Sequence, residues 1–149
     1  MKISVVALGK IGLPLAVQFA TKGFSVIGCD VNSETVSVVN SGSTPFPGEA
    51  FLEERLTAVV TAGLLSASTN TADSVKKSDV VVVVVPLFVD SKGIPDFGWM
   101  DAATRDIAAG LQPGTLVSYE TTLPVGTTRN RFAKMLEEGS GLTAGVDFN

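Results

Sequence analysis

The stretch from Ile3 to Asp30 restricts the fold more than any other part of the chain. Ile3-Ser4-Val5-Val6-Ala7-Leu8 is an apolar run rich in β-branched residues, and Gly9-Lys10-Ile11-Gly12 is a glycine turn. A helical pattern then leads to Phe24-Ser25-Val26-Ile27-Gly28-Cys29, which stops on Asp30. A run with little polar alternation suits a strand buried on both faces, the condition of a parallel sheet. Leu13, Ala16, Val17 and Ala20 recur at helical spacing, and Pro14 is tolerated in a first turn that has no N–H partner to lose. Strand, glycine turn, helix, and second strand ending in a carboxylate together make the layout of a dinucleotide-binding βαβ unit.

The same alternation continues downstream. Asn32 or Ser33 caps a short helix over 33–40, and Pro45-Phe46-Pro47-Gly48 is a loop. Leu52, Leu56, Val59 and Val60 predict an amphipathic helix over 49–62, with a strand from Leu65 to Thr69 and a short helix over 71–77 after it. The six valines Val80 to Val85 predict a central strand that Pro86 terminates, and an irregular loop follows over 88–99. Met100, Ala103, Thr104, Ile107, Ala108 and Leu111 mark a helix, Leu116 to Tyr119 a strand, and Phe132, Met135 and Leu136 a further helix; 142–148 reads as an edge strand. Five or six strands separated by helices predict a Rossmann-type α/β fold, a doubly wound and mostly parallel sheet with helices on both faces. With no repeat or linker to divide it, 1–149 is expected to be one domain.

Composition narrows the function. The net charge of −4 and the scattered basic residues argue against a nucleic-acid partner, which requires clustered Lys and Arg. The longest apolar run is far short of the ~20 residues that span a bilayer, so no membrane partner is expected, and the N-terminus shows no secretory pattern. With one cysteine and no histidine, neither a disulfide nor a metal site is expected, and a reducing cytoplasm fits. Any chemistry must then use carboxylates, lysines, hydroxyls or a cofactor.

In a doubly wound sheet, ligands bind beyond the carboxyl ends of the strands. Gly9 would let the backbone approach a pyrophosphate, and the N–H groups of Lys10, Ile11 and Gly12 would meet it at the positive end of the helix dipole. A glycine pair alone equally describes a tight strand-to-helix turn. Asp30 adds weight, because it lies 21 residues after Gly9, where a carboxylate accepts hydrogen bonds from the adenine ribose. An aspartate at a helix N-terminus is the plainer alternative. The same carboxylate would repel a 2′-phosphate, so NAD is preferred to NADP. Cys29 has no neighbouring cation to lower its pKa and reads as a buried structural thiol. Glu120 and Thr122 fall at a strand end over the expected nicotinamide position, although loop capping would also use such residues.

The segments Leu8-Gly9-Lys10-Ile11-Gly12-Leu13-Pro14-Leu15-Ala16, Asp30-Val31-Asn32, Asn40-Ser41-Gly42 with Pro45, the valine strand ending at Pro86, and Glu120-Thr121-Thr122-Leu123-Pro124-Val125-Gly126-Thr127-Thr128 add up to a family. Together they resemble the N-terminal NAD-binding domain of the UDP-glucose/GDP-mannose dehydrogenases. The Gly9 to Pro14 segment is most similar to the branch acting on UDP-N-acetylmannosamine or UDP-N-acetylglucosamine. The resemblance implies a nucleotide-sugar 6-dehydrogenase of polysaccharide biosynthesis, which oxidises the C6 alcohol of a UDP-sugar to a carboxylate with two NAD and forms a homo-oligomer at full length. It implies that Gly9, Lys10, Ile11, Gly12, Asp30, Pro86 and Thr122 contact NAD or border its site, with Thr122 and Glu120 supporting catalysis. Ala7 replaces the first glycine of the pattern, and Val85 stands before Pro86 where members often carry threonine. The family's catalytic cysteine and sugar pocket belong to later domains, so the chain is expected to be a domain or fragment, inactive alone. A stand-alone NAD(H)-sensing module and the NAD-binding domain of a β-hydroxyacid dehydrogenase are the alternatives.

Overall fold

A computed structural model describes residues 1–149. Five parallel strands form one sheet: β1 (Lys2–Val6), β2 (Ser25–Cys29), β3 (Leu65–Ser68), β4 (Val80–Val83) and β7 (Leu116–Tyr119), in the order β3-β2-β1-β4-β7. The order reverses at β1, between β2 and β4, and this makes the crevice beyond β1 and β4 the switch point of a doubly wound sheet. A separate two-stranded hairpin joins β5 (Phe88–Val89) to β6 (Pro95–Asp96).

Both faces of the sheet are covered. On one, α1 (Gly12–Thr21), α2 (Ser33–Asn40) and α3 (Leu52–Thr61) close a core around Ile3, Val5, Leu13, Val17, Val26 and Leu56. On the other, α4 (Thr71–Val75), α5 (Gly98–Gly110) and α6 (Ala133–Ser140) pack over Val81, Val83, Met100, Ile107, Phe132 and Leu136. The β1 side chains alternate between the two cores, Val5 into the first and Val6 into the second, as the period-two geometry of a strand requires. Ser4, fully buried within β1, is satisfied by Ser78 Oγ at 2.8 Å.

Four elements differ from the sequence expectation. The valine strand ends at Val83 rather than at Pro86, and it is interior while β1 is central. Its β1 partner stops at Val6, so only the Val84 N–H still reaches across, to the Val6 carbonyl at 3.1 Å, while Val84 and Val85 stay buried without pairing. Helix α3 starts at Leu52 instead of Glu49, because Phe51 has a left-handed backbone at φ 61° that no right-handed helix accommodates. The loop after Pro86 contains the β5–β6 hairpin, with Asp90 Oδ1 accepting from the N–H groups of Lys92 and Ile94 across its turn. The expected edge strand over 142–148 is reduced to a single bridge between Ala144 and Phe148. The chain instead touches the sheet at Asn149, whose N–H donates to the Thr115 carbonyl and whose carbonyl accepts from the Val117 N–H. A π-helical turn, Thr128–Phe132, precedes α6 and places Phe132 in the core while Arg131 pairs with Asp101.

Candidate functional site

The carboxyl end of β1 is shaped by backbone geometry. Ala7 leaves the strand with φ 79°, a left-handed conformation that costs a residue with a Cβ about 1–2 kcal/mol. The chain thereby turns toward α1, and the Ala7 carbonyl points at the start of that helix. A Cβ on Gly12 would lie 1.8 Å from this oxygen, so position 12 must be glycine for strand and helix to meet this closely. A Cβ on Gly9 would touch nothing within 4 Å, so Gly9 faces open space. The Gly9, Lys10, Ile11 and Gly12 N–H groups donate to no protein acceptor, whereas Ala7 N–H bonds the Cys29 carbonyl at 2.8 Å. Four free donors beside an open face, at the amino end of a ten-residue helix, suit an anionic group such as a pyrophosphate.

Asp30 ties this turn to the next. Its Oδ2 accepts from the Leu8 N–H at 2.8 Å and its Oδ1 from the Asn32 N–H at 2.9 Å. The helix-capping role belongs to Asn32, whose Oδ1 accepts from the Glu34 and Thr35 N–H groups. Each carboxylate oxygen accepts more than one hydrogen bond, so Asp30 keeps capacity for a ribose hydroxyl after making both backbone contacts.

A cavity of about 370 Å³ lies over this crevice, and Gly9, Asp30 and Pro86 all line it. Three of the residues singled out from the sequence therefore meet at one site, with Lys10, Ile11 and Gly12 in the adjoining turn. Cys29 forms part of the cavity floor but is buried, and desolvation pushes its thiol pKa up, which fits a structural residue and not a nucleophile. Sequence reasoning missed the far wall, where Trp99, Ala102, Ala103 and Asp106 line the cavity from α5. Their spacing was a usable signal, a second helical stripe running beside the apolar one that faces the core.

Glu120 and Thr122 do not line this cavity. They follow β7, two strands from β1, a separation of about 10 Å across the sheet. Glu120 N–H donates to the Val83 carbonyl, extending the β4–β7 ladder by one residue, and its Oε1 accepts from Ser118 Oγ at 2.6 Å. Thr122 is exposed. Beside them a polar concavity is lined by Thr121, Gly126, Thr127, Thr128, Arg129 and others of the same loop.

Comparison with known proteins identifies relatives of the chain. The chain matches the UDP-glucose/GDP-mannose dehydrogenase family, NAD binding domain, over residues 1–149. It is 39% identical over 150 residues to the UDP-N-acetyl-D-mannosamine dehydrogenase of Pyrococcus horikoshii, covering 99% of this chain and 34% of that protein. With the protein of that name from Escherichia coli K12 it shares 37% identity over 136 residues, 91% of this chain and 31% of that protein. The crystal structure of a ternary complex of GDP-mannose dehydrogenase from Pseudomonas aeruginosa superposes with a TM-score of 0.94 at 32% identity, covering 100% of this chain and 35% of that one. The chain thus spans about a third of the length of the relatives it matches.

Proposed function

Because the chain belongs to the UDP-glucose/GDP-mannose dehydrogenase family as its NAD-binding domain, we propose that it serves as the cofactor-holding part of a nucleotide-sugar 6-dehydrogenase. The reaction in question takes the C6 alcohol of a UDP-sugar to a carboxylate with two NAD. A UDP-N-acetylhexosamine is the favoured substrate, supported by relatives named UDP-N-acetyl-D-mannosamine dehydrogenase. Bound NAD supplies the hydride acceptor. The chain's own residues bind and orient: the Lys10, Ile11 and Gly12 N–H groups, with that of Gly9 beside them, hold the pyrophosphate, and Asp30 accepts from the adenine ribose. Gly12 keeps α1 close enough for both, and Pro86 borders the cofactor. Thr122 and Glu120, beyond β7, flank the reacting end. The later domains that the reaction needs would bring the nucleophile and the sugar pocket. Assembly as a homo-oligomer, a cytoplasmic location and a role in polysaccharide biosynthesis belong to the same proposal.

One observation carries it: four backbone N–H groups without protein acceptors lie beside a cavity that has Asp30 on its wall. Calorimetric titration of the chain with NAD and NADP tests it. NAD is expected to bind more tightly than NADP, and Asp30→Ala is expected to weaken NAD at least tenfold while narrowing the preference. Equal affinity for the two cofactors, or no binding of either, would overturn the assignment.

A further inference from the structure

The Asn40-Ser41-Gly42 segment lines no part of the cavity, yet it joins three elements. Asn40 is the last residue of α2, and its side-chain amide meets the backbone of β3 twice: Nδ2 donates to the Ala67 carbonyl at 3.0 Å, and Oδ1 accepts from the Ala67 N–H at 2.7 Å. Gly42, at φ 82°, is tied to α3, where Thr57 Oγ1 donates to its carbonyl at 2.8 Å. The end of α2 is thus fixed from both sides. Strand β3 is four residues long and is the outermost of the sheet, with β2 on one side only. Leu64 and Ser68 turn their carbonyls to the N–H groups of Val26 and Asp30, so Ala67, of the opposite parity, turns its own N–H and carbonyl outward. An unpaired strand edge of this kind is a template for pairing with another chain. A primary amide carries a donor and an acceptor side by side, and Asn40 gives Ala67 the two bonds that a neighbouring strand would give.

Ser68 stands next to Ala67 and serves the site twice. Its carbonyl accepts from the Asp30 N–H at 3.2 Å, and its Oγ accepts from the Asn70 N–H at 3.0 Å. Asn70 in turn caps α4, whose first residue, Thr71, lines the cavity with Asp30. We propose that Asn40 is a positioning residue of the cofactor site, an amide that replaces a missing outer strand on β3 and so holds Ser68 against Asp30. Asn40 itself stays outside the cavity. It acts through Ala67 and Ser68 on the one carboxylate that separates a free ribose hydroxyl from a 2′-phosphate.

This role rests on the cavity taking NAD as proposed above, and the experiment separates the two claims. Calorimetric Kd values for NAD and NADP are measured for the chain, for Asn40→Ala and for Asn40→Asp, which keeps the shape and the acceptor but loses the donor to the Ala67 carbonyl. Both variants are expected to weaken NAD about fivefold and NADP less, because a displaced Asp30 holds the ribose less well and also repels a 2′-phosphate less. The preference for NAD then narrows. Tyr119→Phe, at the other edge of the sheet, does not touch β3 and is expected to leave the ratio unchanged. Amide hydrogen exchange supplies a second readout. The Ala67 and Asp30 amides are expected to exchange about tenfold faster in both Asn40 variants, while the Ala7 amide, bonded to the Cys29 carbonyl, keeps its protection. An unchanged ratio, an equal loss for both cofactors, or an Asp30 amide that stays protected once Ala67 exchanges overturns the role of Asn40 and leaves the NAD assignment standing. Failure of the unsubstituted chain to bind NAD overturns both.

Discussion

The loops at the carboxyl ends of β1 and β7 are built in opposite ways. At β1 the turn is determined from several directions: Ala7 N–H bonds the Cys29 carbonyl, Leu8 N–H bonds Asp30, and Gly12 abuts the Ala7 carbonyl. These partners come from β2 and α1 as well as from the turn itself. After β7, beyond the Glu120 N–H that still reaches Val83, the bonds are local. Thr127 N–H and Thr127 Oγ1 both donate to the Pro124 carbonyl, Asn130 N–H donates to the Gly126 carbonyl, and Val125 is fully exposed. A site that binds a fixed phosphate gains from being formed in advance, whereas a segment proposed to flank the reacting end can leave its outer face open. The β1 turn is thus complete within this chain, and the β7 loop presents side chains that have no partners within it.

Substitutions should expose the contrast. Gly12→Ala has the largest expected effect, because its methyl meets a backbone oxygen that cannot move without disturbing β1. A loss of about 3 kcal/mol in urea unfolding is expected, together with loss of measurable NAD binding. Asp30→Ala strips two N–H groups of a charged acceptor and is expected to cost about 2 kcal/mol by the same measurement. If Asp30→Ala were neutral, the bridging role of this carboxylate would be lost from the account.

The β7 strand itself is anchored, in contrast to its loop. Tyr119 stacks on Phe132 with centroids 4.6 Å apart, and its hydroxyl lies 2.8 Å from Thr104 Oγ1. Burial pushes the phenol up to about 12, opposed by the Thr104 hydrogen bond. In the unfolded chain the phenol titrates near ~10, so between about pH 10 and that value the folded state holds a proton that the unfolded state has lost. The stability that Tyr119 contributes is fully present below that window and falls as pH rises through it. Tyr119→Phe is expected to cost about 1 kcal/mol at neutral pH and to flatten the alkaline decline; an unchanged decline would assign it to other groups. Ala7→Gly is expected to act in the other direction, raising stability by about 1 kcal/mol through relief of the left-handed backbone. Thr122→Val should change stability by less than about 0.5 kcal/mol, and a larger loss would show that the β7 loop has structural partners after all.

Most of the fold was legible because local pattern and tertiary demand agree. The apolar stripe of α1, the Asn32 cap and the valines of β4 each satisfy one period and one burial requirement. Errors arose where a neighbour decides the outcome. Val84 and Val85 are as strand-forming as Val80, yet the ladder ends where β1 turns away at Ala7. The hairpin at Phe88 rests on two residue pairs, too few to leave an alternating signature. At the site, the glycine turn and Asp30 were readable from spacing. The tethering of Leu8 and Asn32 to Asp30 was not, because backbone N–H groups carry no sequence signal. The cavity wall on α5 was visible in principle, but its stripe of Trp99, alanines and Asp106 was hidden behind the stronger apolar stripe of the same helix.

Ala7 has a further consequence in the time domain. Its unfavourable dihedral is offset only when β2 supplies the Cys29 carbonyl and α1 is docked, so the turn gains nothing from forming early. The turn is therefore expected to consolidate late in folding, which φ-values near zero for substitutions at Ala7 and Gly12 would check. A ligand seated on that turn would then contact the native state but not the folding transition state, and would slow unfolding while leaving the refolding rate where it was.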